Sequence, residues 1–279
     1  MNKSKVNNDA RFEILISTMN KTSLSFLDAM FPHHQLESLE LLIINQTVKG
    51  KDLISNKNNI RVINSYEKGL SKSRNLAIKN AKGDICLLAD DDVEYLPNFN
   101  SIILDTFSKL DTSTVIRFKI ATICGDNYKS YPKVSKRLIT KKDIESTSSV
   151  EIAFKRKDII VKQITFNTLF GLGSHFTSGE EYLFLKKILN QDLIINFENK
   201  VIVRHKLIRS TSNIGSDAFI KAMAAQYYHD YNFFGYIVLL KFIFFLFRKK
   251  IVESENLFSK YKVGTNAIKT YKKLIKQSA

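Results

Sequence analysis

Apolar and polar positions along the chain fall into two regimes. Over the first 125 residues, short unbroken apolar runs alternate with stretches of helical period. The runs at 12–18, 39–45, 60–64, 84–89 and 115–122 predict strands. Residues 69–82 and 97–110 carry the 3.6-residue period of helices, the second with Pro97 at its opening turn. Strands that are apolar on both faces and alternate with helices predict a mostly parallel sheet covered on both sides, the α/β class. In such sheets ligands collect at the carboxyl ends of the strands. Beyond 125 the pattern changes. Residues 126–150 are polar, basic and weakly periodic, the candidate for a lid or a membrane-proximal loop. A glycine-bearing loop at 171–178, a helix at 179–190, a strand at 199–204 and helices at 216–247 and 254–276 complete the expectation.

Composition adds bounds. The 279 residues suffice for a substantial core, and 44% apolar with 25% charged residues excludes wholesale disorder. Two cysteines, Cys86 and Cys124, make neither a disulfide framework nor a cysteine zinc site, which fits a reducing compartment. Residues 1–13 lack the apolar core of a secretory signal, so none is expected. Lys and Arg number 43 against 27 Asp and Glu, a net charge of +16, which calls for an anionic partner. No nucleic-acid motif accompanies this excess, and nucleic acid is not expected. Instead the charge gathers late. Residues 233–247 form a 15-residue aromatic apolar run containing Lys241, followed by Arg248, Lys249 and Lys250. From 241 to 279 there are ten Lys or Arg and two Glu, giving +8. The run is shorter than the roughly 20 residues of a spanning helix. Aromatics beside basic residues predict a helix lying in an anionic membrane interface. The competing expectation is a buried C-terminal helix with a solvated basic tail.

Four features carry candidate chemistry. Asp90, Asp91 and Asp92 follow directly on an apolar strand, and three adjacent carboxylates are costly without a cation or donors to neutralise them. If the chain stays extended, Asp90 and Asp92 share a face. A hard divalent ion completed by substrate phosphates is one occupant; a solvated acidic turn before Pro97 is the other. Arg74 falls inside the apolar stripe of Leu70, Ala77, Ile78 and Ala81, where a guanidinium needs an anion, either a phosphate or a carboxylate of the acid triplet. Glu180 and Glu181 follow Gly179, with Glu181 projecting among Phe184, Leu185 and Ile188. There it predicts a general base of raised pKa, unless both acids simply favour a helix N-terminus. His205 follows the strand at 199–204, ahead of Arg209, Ser210 and Thr211, and is a candidate ligand.

In this order, these residues resemble the family 2 inverting glycosyltransferases of the GT-A fold. Ser17-Thr18-Met19-Asn20 stands at the family's first strand end. Asn45-Gln46 stands where the family has paired acids. Ser73-Arg74-Asn75 matches its Ala-Arg-Asn helix motif, and Asp90-Asp91-Asp92 its metal-binding Asp-any-Asp motif. Pro97 follows at about the usual distance. Gly179-Glu180-Glu181 looks like its catalytic Glu-Asp motif, and His205 like its late histidine. The resemblance spans roughly residues 12–212. It implies a GT-A domain over 1–215, with a donor half at 10–125 and an acceptor half at 126–215; the basic helical segment at 216–279 that follows is expected, from its own aromatic and charge pattern, to associate with membrane. It implies that Thr18, Asn20, Asn45 and Arg74 belong to the donor site, that Asp90 or Asp91 touches the ribose, and that Asp92, with Asp90 and His205, holds Mn²⁺ or Mg²⁺. Glu181, or Glu180 in reserve, would be the base. The implied activity is metal-dependent, inverting transfer from a nucleotide-sugar such as a UDP-sugar to a saccharide or lipid-linked acceptor, as in surface polysaccharide synthesis. It would take place at the cytoplasmic face of the membrane, with homo-oligomerisation left open. The alternative is an inactive GT-A-fold protein that binds sugar at the membrane. Two departures stand out: amides replace the paired acids, and the catalytic Asp is Glu181.

Overall fold

A computed structural model describes residues 10–206 and 214–277. They divide into two compact units, one of 10–167 with 181–206, the other of 168–180 with 214–277. Arg209, Ser210 and Thr211 lie outside the described residues.

The first unit contains β1 (Phe12–Met19), α1 (Phe26–Met30), β2 (Leu41–Gln46), β3 (Ile60–Ser65), α2 (Leu70–Asn80), β4 (Ile85–Asp90), β5 (Val93–Tyr95), α3 (Phe99–Lys109), β6 (Val115–Thr122), β7 (Lys136–Leu138), α4 (Lys141–Ile144), β8 (Ile152–Lys155) and α5 (Arg156–Val161). After these come most of α6 (Glu180–Leu189) and β9 (Ile195–His205). The strands form one sheet in the order β3-β2-β1-β4-β8-β6-β9-β5, with β7 also on β9. Strands β1, β2, β3, β4, β6 and β9 run one way; β5, β7 and β8 oppose them. The expected α/β class and mostly parallel sheet are therefore present. Every residue of β2 is buried, as is β4 up to Asp90, because layers cover both faces. Ile16, Ile43, Leu87, Phe99, Ile103 and Phe118 lie in the core.

Register determines what meets at the carboxyl edge. Thr18 lies opposite Asn45, Asn45 opposite Asn64, and Ser17 opposite Asp90. His205, the last residue of β9, lies opposite Thr122 and Val93. All of the chemistry-bearing strand ends thus lie along one edge.

Three expectations change. Helix α3 starts at Phe99, so Pro97 precedes the first turn instead of opening it. The polar stretch 126–150 contains β7 and α4, and it is anchored by charge. Fully buried Glu151 accepts from Arg117 Nε at 2.9 Å and Tyr131 Oη at 2.5 Å, and Lys129 Nζ lies 2.9 Å away. The expected helix at 216–247 is two helices, since Asn232 adopts a positive φ of 49° between them.

The second unit holds α7 (Asp217–Tyr231), α8 (Gly235–Arg248), α9 (Leu257–Gln277) and the loop 168–180. Ser216 caps α7 by accepting from Phe219 N. Gly264 lets α9 approach α8 closely, for a Cβ there would lie 2.7 Å from a Leu239 methyl. Phe170 and Phe176 of the loop each meet the ring of Tyr271 at 5.8 Å.

Candidate functional site

The acid triplet does not remain extended. The chain turns at Asp91 and Asp92 between β4 and β5, so alternation fails and the three carboxylates diverge. Each has its own partner. Asp90 accepts from Arg74 Nη2 at 3.2 Å and from Ser149 Oγ at 2.8 Å. Asp91 accepts from Thr18 Oγ1 at 2.5 Å and pairs with Lys21 at 3.1 Å. Asp92, the most exposed of the three, lies 3.3 Å from His205 Nε2. Each of the three adjacent acids thus has its own partner, Lys21 of the loop after β1, Arg74 of α2 and His205 of β9.

Arg74 is buried, with 2% of its surface exposed. Of the expected stripe, Ala77, Ile78 and Ala81 are buried and Leu70 is half-buried, while Ser71 and Ser73 are buried as well. Besides Asp90, Arg74 donates to Glu181 Oε1 at 3.0 Å. One guanidinium therefore joins the acid ending β4 to the acid at the start of α6. Glu181 is thus ion-paired rather than alone on an apolar helix face. The guanidinium also lies 5.5 Å from the centroid of Phe166. Phe166 stacks on Phe184 of α6 at 4.1 Å and exchanges two hydrogen bonds with the Asn75 side chain. Asn75 is therefore a support of the site that sequence reasoning placed beside Arg74 without a role. Glu180 is buried as well and groups with the second unit. Gly179 precedes it at a φ of 102°, and a Cβ there would lie 2.7 Å from Gln226 Oε1.

The amides that replace paired acids at the end of β2 have structural partners. Asn45 is fully buried; its Oδ1 accepts from Lys21 N and its Nδ2 donates to Lys21 O and Asn64 Oδ1. Gln46 Oε1 accepts from Gly69 N at 2.7 Å, fixing the entry to α2. Asn45 thereby holds the loop that presents Asn20 and Lys21. Asn20 is exposed, with a φ of 55°, and its N–H donates to Gln46 O.

His205 and Asp92 make a coupled pair. The hydrogen bond to Asp92 holds the imidazole pKa above its ordinary value, and the same bond lowers that of Asp92. His205 Nδ1 lies 2.5 Å from the carbonyl oxygen of Lys206. A carbonyl only accepts, so Nδ1 carries a proton and Nε2 faces the carboxylate. In the neutral tautomer two lone-pair donors then face each other, an arrangement that wants a proton or a metal ion between them. A backbone carbonyl on the far nitrogen is also the usual support of a metal-ligating histidine. Among the described residues no group of three His, Cys, Asp or Glu is gathered for a metal. Of the three expected ligands, Asp92 and His205 meet, whereas Asp90 is directed to Arg74.

Compared with known proteins, residues 41–176 match the family model described as Glycosyl transferase family 2. The stretch runs from β2 through the acid triplet and stops short of Glu180. No curated protein matches the sequence. Among solved structures the fold is similar to residues 1–349 of TarS from S. aureus, with TM-score 0.58 and 16% identity over 96% of this chain and 92% of that one. The same TarS fragment in complex with UDP-GlcNAc and with UDP gives TM-scores of 0.57 and 0.56, each at 15% identity and the same coverage. A longer TarS structure is covered over 43% of its length.

Proposed function

We propose that this chain, whose residues 41–176 match the family model described as Glycosyl transferase family 2, is a glycosyltransferase that moves a sugar from a UDP-sugar to a saccharide or lipid-linked saccharide hydroxyl, inverting the anomeric carbon. The observation that carries this reading is the Arg74 bridge, which fixes Asp90 and Glu181 in one frame at the carboxyl edge of the sheet. The choice of uridine draws on the TarS complexes with UDP-GlcNAc and UDP.

In this reading the nucleoside lies over the ends of β1 and β2, against Thr18 and Asn20. Asn45 acts from below, by shaping the 20–21 loop. Asp91 takes the ribose, because its partners are a hydroxyl and a half-buried lysine that a ribose hydroxyl can replace. Asp92 and His205 would hold Mn²⁺ or Mg²⁺. The oxygen and imidazole donors suit such an ion, which binds through few protein ligands when phosphates complete its shell. The charge count agrees. Asp90, Asp91, Asp92 and Glu181 outnumber Arg74 and Lys21 by two, before the diphosphate adds more. When bound, the ion would screen negative charge on the departing diphosphate. Glu181, held through one oxygen by Arg74, removes the acceptor hydroxyl proton. The acceptor oxygen then attacks the anomeric carbon as the bond to the diphosphate oxygen breaks, and that bond's electron pair leaves with UDP. Buried Glu180 is the less accessible of the two candidate bases. The two free cysteines support a reducing, cytoplasmic setting.

Calorimetric titration of UDP, GDP and CDP with Mn²⁺ tests the donor site. UDP is expected to bind only with metal, and Asp92→Ala to abolish that binding. Glu181→Gln should retain UDP binding and lose transfer. Absence of binding by all three nucleotides would overturn the proposal in favour of an inactive fold.

A further inference from the structure

Helix α8 is apolar apart from Lys241 and Arg248, and its two faces have different fates. Gly235, Leu239, Ile243 and Leu246 fall on one side and are buried. That side packs within its own unit: Gly235 approaches the Tyr227 backbone, and Leu239 meets Gly264 of α9. On the opposite side, at 100° per residue, lie Ile237, Leu240, Phe244 and Phe247, all exposed. Phe244 is 55% exposed and Leu240 54%. The turn leading into the helix adds Phe233 and Phe234, at 72% and 67%. A contiguous exposed face of this kind marks a contact surface.

Charge selects the partner. Lys241 and Arg248 project along the flank of the same face and are exposed, and Lys249 and Lys250 follow at once. Between Asp230 and Glu253 the chain has no acid at all. In a two-fold contact between copies this face would meet itself, setting like charges opposite one another in a desolvated interface. An anionic lipid surface offers the complementary sign, together with acyl chains for the aromatics. Length sets the mode of contact. Residues 217–248 are long and apolar enough as a stretch to cross a membrane, but Asn232 interrupts them. The 14 residues of α8 rise about 21 Å, short of the roughly 30 Å hydrocarbon core. Its inner face is also already occupied by protein.

We infer that the outer face of α8, Ile237–Leu240–Phe244–Phe247 with Lys241 and Arg248, docks the protein in the plane of an anionic phospholipid surface without crossing it. The chain contains no tryptophan, so Phe244→Trp places a single reporter in the face. Its emission should shift to the blue with vesicles of phosphatidylglycerol and phosphatidylcholine, and remain unchanged with phosphatidylcholine alone. In sedimentation the native chain should partition onto the anionic vesicles at least about tenfold better than onto the zwitterionic ones, and less well in high salt. Phe244→Asp should remove most of this binding, and Lys241→Glu/Arg248→Glu should remove the preference for anionic lipid. Both variants should keep the native thermal midpoint, since the altered side chains point away from the buried face. Failure to bind either vesicle would overturn the inference. So would retention in the membrane after alkaline carbonate, which marks a spanning helix, or a concentration-dependent doubling of mass that Phe244→Asp abolishes, which assigns the face to a second copy.

Discussion

Arg74 shows how one buried side chain can tie two separate acids into one frame. A lysine has the charge but one compact ammonium, and it cannot reach Asp90 and Glu181 with two directed donors. Arg74→Lys should therefore lower turnover by about 10²-fold through misplacement of Glu181, with a smaller effect on UDP binding. Transfer kinetics beside UDP titration separate the two effects. Glu13 is a second case, remote from the site. Burial alone would raise its pKa. Arg61, at 2.6 Å, and the backbone N–H groups of Lys82 and Gly83 outweigh that and hold it below the ordinary glutamate value. A lowered folded pKa contributes stability above the unfolded value, and that contribution is lost as pH falls through the folded one. The unfolding free energy of Glu13→Gln, from urea titrations, should thus lie about 3 kcal/mol below wild type near neutrality, with the gap closing on the acid side. Arg74 was legible because a guanidinium on an apolar stripe demands an anion. Asn45 was not, because its partner is the backbone of Lys21, 24 positions away, and no local pattern encodes that pairing.

At the scale of elements, the long apolar strands and periodic helices were readable, for in them one physical period repeats over enough residues to stand out. β5, β7 and β8 were not. They are three or four residues long, and each is a strand only through its partner: β9 for β5 and β7, and β4 with β6 for β8. The consequence for the site was direct. Without β5 the acid triplet reads as extended, whereas the turn into β5 is what separates Asp90 from Asp92 and brings Asp92 to His205. The tight entry to β4 makes a further prediction. A Cβ on Gly83 would sit 2.6 Å from Glu13 Cβ and 3.0 Å from its backbone nitrogen, neither able to swing away. Gly83→Ala should cost about 1–3 kcal/mol by overpacking, measured as a lower urea midpoint with an unchanged slope.

For the whole molecule, the proposed donor site is assembled from strand ends far apart in sequence, so its ligand is expected to bind only the folded chain. The sheet brings Thr18 to Asp91 and His205 to Asp92, and an unfolded chain holds neither pair together. Binding to the native state alone stabilises by about 2.7 kcal/mol at a hundredfold excess over Kd. For a chain of this size that corresponds to a rise in Tm of about 5–10 °C. The rise should require UDP and Mn²⁺ together, since the carboxylate excess repels a bare diphosphate and Asp92 with His205 offers a metal only two ligands. UDP alone, or Mn²⁺ alone, should move Tm by less than about 2 °C. Asp92→Ala should abolish the joint shift, whereas Phe244→Asp, on the far side of the chemistry in sequence and in a different unit, should leave it intact. A full shift with UDP alone would mean that protein cations suffice for the diphosphate. The role of Asp92 would then be confined to its pair with His205.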